Sequence, residues 1–107
     1  MTGNYIPISS WAEDDKPREK MLSKGVTALS TNELLAILIR SGSGGESALD
    51  LSRRILTDAS NDLNMLARLS VSDFMNRYKG VGMAKAASII AAMELGRRRA
   101  LSTAREE

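Results

Sequence analysis

Residues Lys79 to Lys85 read Lys-Gly-Val-Gly-Met-Ala-Lys, and an alanine-rich apolar run follows at once. Gly80 and Gly82 bracket Val81, so a turn of small residues opens directly into a helix. The first N–H groups of a helix have no carbonyl behind them to bond, and the helix dipole adds partial positive charge there. Such an end holds anions, phosphate above all. Glycine lets a second backbone come close, and Lys79 and Lys85 can add charge-assisted contacts. The candidate binding residues are therefore Lys79, Gly80, Val81, Gly82, Met83, Ala84 and Lys85. The plainer reading is a tight joint between two helices, with Val81 pinning the gap and Ala86 allowing a close crossing.

Other chemistry finds little support. The chain has no His and no Cys, which removes the commonest general base, the thiolate nucleophiles and the usual zinc ligands. Acidic residues are scattered with no acid–base partner in view, so this chain by itself is expected not to be an enzyme. The run from Ser41 to Ser47, SGSGGES, looks like a nucleotide loop but lacks the following Gly-Lys-Ser/Thr and a preceding strand. Arg40, Ser41, Ser43 and Gly44 remain secondary candidates for a phosphate contact.

Charge distribution agrees with an anionic partner. Met1 to Asn76 holds 8 basic and 10 acidic residues, whereas Arg77 to Arg99 holds 6 basic and 1 acidic. A solvated helix with a basic C-terminal end would produce the same bias. Arg97, Arg98 and Arg99 fit that second account, because Met83 to Arg99 spans roughly 24 Å of helix.

The elements that must position these residues are helices. Apolar residues make up 43% of the 107 and aromatics only 4%, a balance that disfavours sheet. Residues 1–16 read as an extended segment tethered by Tyr5, Ile6, Ile8 and Trp11. A short helix then begins with Pro17 in its first turn and ends before Gly25. Ser30 and Glu33 form a capping box ahead of the apolar run Leu34 to Ile39. Ala48, Leu51, Ile55 and Ala59 share one face of the next helix. A short helix near Met65 follows, and Ser70 with Asp73 caps another. The last helix starts near Met83 and runs to about Arg99, with Gly96 weakening its end. Met21, Met65, Met75 and Met93 occupy apolar-face positions as core filling. Residues 100–107 read as the start of a linker.

The expected fold is an all-α, compact bundle of about six short helices over residues 17–99. Aligning Gly42 with Gly80 also places Gly44 on Gly82, Ala48 on Ala86, Leu51 on Ile89 and Ile55 on Met93. This predicts a pseudo-repeat of 33–57 and 71–94, two helix–turn–helix units with the second (71–99) better formed.

The Gly80-Val81-Gly82 turn with Ala86 four residues on resembles the helix-hairpin-helix motif of DNA-binding proteins. That resemblance implies a hairpin that holds a DNA phosphate without reading bases; no cofactor is expected in this chain, other than room for a monovalent cation at the hairpin. A wider resemblance covers about Trp11 to Arg99. WAEDDKPREKML, LSTNELLAILIRSGSGGESALDLSRRIL and YKGVGMAKAASIIAAMELGRR together are similar to the N-terminal domain of the RadC family. Its members carry a C-terminal metal-dependent JAMM/MPN-type domain, with histidines and an aspartate as ligands to a divalent metal, zinc foremost. The resemblance implies a DNA-repair association and a module that places that domain on duplex or junction DNA. It makes the C-terminal domain of the full-length protein, which this chain lacks, a second partner. The rival expectation is a protein–protein or intramolecular docking module that binds no DNA.

No apolar run of membrane-spanning length occurs, and the start lacks the pattern of a signal peptide. A cytoplasmic setting without membrane contact is expected.

Overall fold

The structure is a computed structural model that describes residues 5–42 and 45–106, with the side-chain surroundings of 15–42 and 45–103. Six α-helices carry the described chain: α1 (Tyr5–Lys24), α2 (Thr31–Ile39), α3 (Ala48–Asp58), α4 (Leu63–Leu66), α5 (Val71–Arg77) and α6 (Met83–Glu106). A single 3-10 turn, Val26–Ala28, joins α1 to α2. There is no strand among the described residues.

Local signals set most of the boundaries. Gly25 closes α1 at φ 89°, a left-handed angle that glycine adopts without steric penalty, and its N–H reaches the Met21 carbonyl at 2.9 Å. Ser30 and Glu33 make a reciprocal capping box on α2, and Ser70 with Asp73 does the same on α5. In both boxes the bonds to the cap lower the carboxyl pKa, with the Ser30 or Ser70 backbone N–H as the largest cause. Ser47 caps α3 and Asp62 caps α4.

Helices α2 and α3 pack as one hairpin, and α5 and α6 as another. Helix α2 touches α6 as well, and α1 lies against α2 and α3. The core runs through α2, α3, α5 and α6: Leu35, Ala36 and Ile39 of α2, Ala48, Leu51 and Ile55 of α3, Phe74 and Tyr78 at α5, then Val81, Ala86 and Ile89. The apolar face expected on α3 is buried from Ala48 to Ala59.

Of the aligned pairs, Ala48 and Ala86 are both fully buried, as are Leu51 and Ile89, whereas Ile55 is fully buried and Met93 only partly. The connections differ: residues 40–47 join α2 to α3, whereas the shorter stretch 78–82 joins α5 to α6. The second turn is the tighter one.

Some expectations are corrected. The segment read as extended over 1–16 is helical from Tyr5, and Pro17 lies inside α1 rather than in its first turn. A proline in a helix interior loses one hydrogen bond and clashes with the previous turn at a cost of about 3 kcal/mol, which is why it reads as a start. Here its ring is fully buried, and that apolar burial offsets part of the cost. The tail 100–107, read as the start of a linker, continues α6 to Glu106. Ala100, Leu101 and Ala104 are good helix formers, and Gly96 does not end the helix. The apolar run Leu34 to Ile39 makes α2 a central helix, buried at Leu35, Ala36 and Ile39, with Leu34 at its outer side 38% exposed. Met65 and Met75 are exposed as well, so only part of the methionine set fills the core. The side chains of Tyr5, Ile6, Ile8 and Trp11 lie outside the described ones.

No helix among the described residues is long and apolar enough to cross a membrane.

Candidate functional site

The turn between α5 and α6 is built by three backbone features. Tyr78 ends α5 in an extended conformation, with its N–H on the Phe74 carbonyl. Its own carbonyl accepts the Val81 N–H at 3.0 Å, which closes the turn. The Gly82 carbonyl accepts the Ala86 N–H at 3.0 Å and begins α6. Val81 is buried to 2% exposure and fills the gap between the two helices, as its place between glycines predicts.

The amides of Met83, Ala84 and Lys85 have no protein acceptor among the described residues. Each helix from α2 to α5 is closed by a serine or aspartate side chain. Helix α6 instead has glycine at that position and no acidic residue in its first turn. Its N-terminus is therefore open to an outside acceptor. A Cβ added to Gly82 would meet nothing within 4 Å, and its φ lies outside the left-handed region. Neither packing nor backbone angle demands glycine there.

The flanking side chains differ from one another. Lys79 is exposed and makes no hydrogen bond or ion pair among the described residues. Met83 is 68% exposed and Ala84 is also exposed. Lys85 is half-buried and has a partner: its Nζ donates to the Ser41 carbonyl at 2.7 Å and approaches the Ser41 Oγ at 3.4 Å. The lysine sits in the first turn of α6, and the C-terminal end of α2 lies within its reach.

The first turn is thereby drawn to the second. Arg40 takes a positive φ of 73° at the end of α2, and its exposed side chain has no partner among the described residues. Ser41 touches Lys85. Ser43 and Gly44 lie outside the described residues. Gly42 is sterically required, because a Cβ there would run into the Glu46 carbonyl.

A second tie between the hairpins carries no obvious sequence signal. The buried Tyr78 ring lies 6.4 Å from that of Phe74. Its hydroxyl donates to Asp58 Oδ2 at 2.7 Å, and the Arg54 guanidinium sits 5.3 Å from the ring centre. Arg54 also grips Glu46 with two hydrogen bonds, at 2.9 and 3.1 Å. Those bonds to Glu46 push the arginine pKa up. Burial first, then the bond to Asp58 and its charge, push the Tyr78 phenol up to about 12. Phe74 and Tyr78 at i, i+4 are legible as one helix face; the partners on α3, twenty residues earlier, are not.

The arginine cluster stands apart. Glu94 binds Arg97 at 2.7 and 2.9 Å and Arg98 at 2.8 Å. These bonds hold the Glu94 carboxyl down to about 2. Two of the three arginines are thus paired within their own helix, which fits the solvated-helix account of this end.

Comparison with known proteins places the chain. A family model described as UPF0758 N-terminal matches residues 8–87. A UPF0758 protein of Flavobacterium johnsoniae is 58% identical over 98 residues, covering 92% of this chain and 42% of that protein. UPF0758 proteins of Trichlorobacter lovleyi and Moorella thermoacetica are each 46% identical, over 85% and 96% of this chain and 40% and 44% of their own lengths. The chain spans about two fifths of the length of these curated relatives. No solved structure matches it. By the span of the family match and the identity to these relatives, the chain belongs to the UPF0758 N-terminal domain family.

Proposed function

We propose that the chain is a sequence-independent DNA-binding module that contacts the phosphate backbone through the Gly80–Gly82 turn and the first turn of α6. The observation that carries this reading is the open N-terminus of α6. Three amides without acceptors follow a glycine that the fold itself does not require, while the neighbouring helices are closed by their own side chains. Lys79, exposed and unpaired beside the turn, supplies a mobile positive charge. Arg40 supplies another at the first turn.

Few contacts of this kind give weak binding. Sequence-independent affinities lie at roughly 10⁻⁴–10⁻⁶ M, and a single small domain belongs at the weak end. Aromatic side chains are few, and Phe74 and Tyr78 are buried, which disfavours a stacking platform for single strands. Duplex or junction DNA is the substrate class this surface fits. In a longer protein the module would position a metal-dependent JAMM/MPN-type domain on DNA, in the manner of the RadC family that the sequence resembles. A cytoplasmic setting goes with that role.

The test is a titration with duplex, junction and single-stranded DNA at several salt concentrations. Binding should weaken with salt at about −0.9 per neutralised phosphate on duplex, and should tolerate any sequence. A chain that binds none of the three at low salt, yet binds a protein partner insensitively to salt, is a docking module instead.

A further inference from the structure

Lys85 belongs by position to the set of cations that a phosphate would attract, yet its ammonium already has a partner. It donates to the Ser41 carbonyl at 2.7 Å across 44 residues of chain. That carbonyl lies just past the end of α2, where Arg40 has left the helical angles and its N–H returns to Ala36. At the other end of the same connection, Glu46 is gripped by Arg54, whose guanidinium also covers the Tyr78 ring. Tyr78 in turn supplies the carbonyl that closes the Gly80–Gly82 turn. The connection between α2 and α3 is therefore fastened twice to the second hairpin, once through Lys85 and once through Glu46, Arg54 and Tyr78.

We infer that Lys85 is a positioning residue, holding Ser41 and Arg40 beside the first turn of α6 so that the two turns present one surface, and that it is not itself a phosphate contact. The inference deepens the DNA-binding reading and rests on it for its functional consequence; the fastening of the loop stands without it. The chemistry is simple. A charged donor on a carbonyl makes a stronger bond than a neutral pair. A lysine engaged in that way has given up part of the hydration that a mobile phosphate-seeking side chain keeps. Lys79, with no such partner, is the cation free to neutralise a phosphate.

The experiment compares Lys85→Met, Lys85→Arg and Lys79→Met with the parent chain. Two quantities are read: amide hydrogen exchange at residues 41–42 and 45–47 without DNA, and the salt slope of duplex binding. Lys85→Met should speed exchange at Ser41 and Gly42 by about fivefold or more, the scale of losing one charge-assisted hydrogen bond at a half-exposed site. It should weaken duplex binding severalfold while leaving the salt slope unchanged. Lys85→Arg, which can still donate to the carbonyl, should return exchange and affinity toward the parent. Lys79→Met should leave exchange unchanged and make the slope shallower by about 0.9. Unchanged exchange in Lys85→Met overturns the inference, and so does a slope that falls by one phosphate in that variant. If the parent chain binds no DNA, the exchange data alone decide whether Lys85 fastens the loop, and the failure belongs to the DNA-binding reading.

Discussion

The Tyr78 hydroxyl donates to the Asp58 carboxylate at 2.7 Å, and this single bond ties the residue that closes the glycine turn to the last turn of α3. Together with the Lys85–Ser41 bond and Arg54 over the Tyr78 ring, it holds the turn against the first hairpin. Replacing Tyr78 with Phe keeps the buried ring and its packing on Phe74. It should cost about 1 kcal/mol, seen as a fall in melting temperature of about 4–8 °C for a domain of this size. A melting temperature equal to the parent's would mean that the bond contributes nothing.

The same pair gives a pH dependence with a defined sign. Tyr78 is pushed up to about 12 in the folded chain from the ordinary tyrosine value of about 10, so folding favours the protonated phenol. Its contribution is fully present below about pH 10 and is lost as pH rises through about 12. Urea unfolding at about pH 8 and about pH 11.5 should show the parent losing more stability than Tyr78→Phe, which lacks the titrating group. Equal losses would contradict the assignment.

The two close helix crossings should respond alike to overpacking. Ala48 and Ala86 are both fully buried at aligned positions, so Ala48→Leu and Ala86→Leu should each destabilise by about 1–3 kcal/mol. Thermal melts check this. An effect at Ala86 with none at Ala48 would break the equivalence of the hairpins.

Much of this architecture is legible in the sequence because it is local. Ser30 with Glu33 and Ser70 with Asp73 announce helix starts three residues apart, and Ala48, Leu51, Ile55 and Ala59 announce a buried face by spacing alone. The glycine turn is equally visible, with Val81 inward and α6 beginning at Met83. What escapes is set by distance along the chain or by compensation. No local pattern tells that Lys85 meets Ser41, or that Tyr78 meets Asp58 under Arg54, since these pairs exist only once the hairpins dock. Pro17 misleads because its cost is visible in the sequence and its burial is not. The length of α6 is missed because a polar, faceless tail still carries good helix formers.

Glycines separate packing needs from functional ones. Gly42→Ala should destabilise by about 2 kcal/mol or more, because its Cβ would collide with the Glu46 carbonyl. Gly96 sits in helix with nothing within 4 Å of an added Cβ, so Gly96→Ala should raise the helical ellipticity of α6. Far-ultraviolet circular dichroism and melting curves on the two variants check both directions.

Gly82 offers the most direct measurement of the proposed interface. Aspartate at this position can cap one of the open amides of α6 with its own carboxylate and complement the helix dipole, which should hold or raise stability by about 1 kcal/mol. The same carboxylate would occupy and repel the site where a phosphate must sit. The measurement is an amide-shift titration of the parent chain and of Gly82→Asp with duplex DNA at low salt, beside their melting curves. In the parent, the resonances of Gly82 to Lys85 should move, with smaller shifts at Arg40 and Ser41. In Gly82→Asp they should stay still, although the variant melts no lower than the parent. A parent whose α6 amides do not respond to DNA, or a Gly82→Asp chain that binds as the parent does, would contradict phosphate binding at this turn.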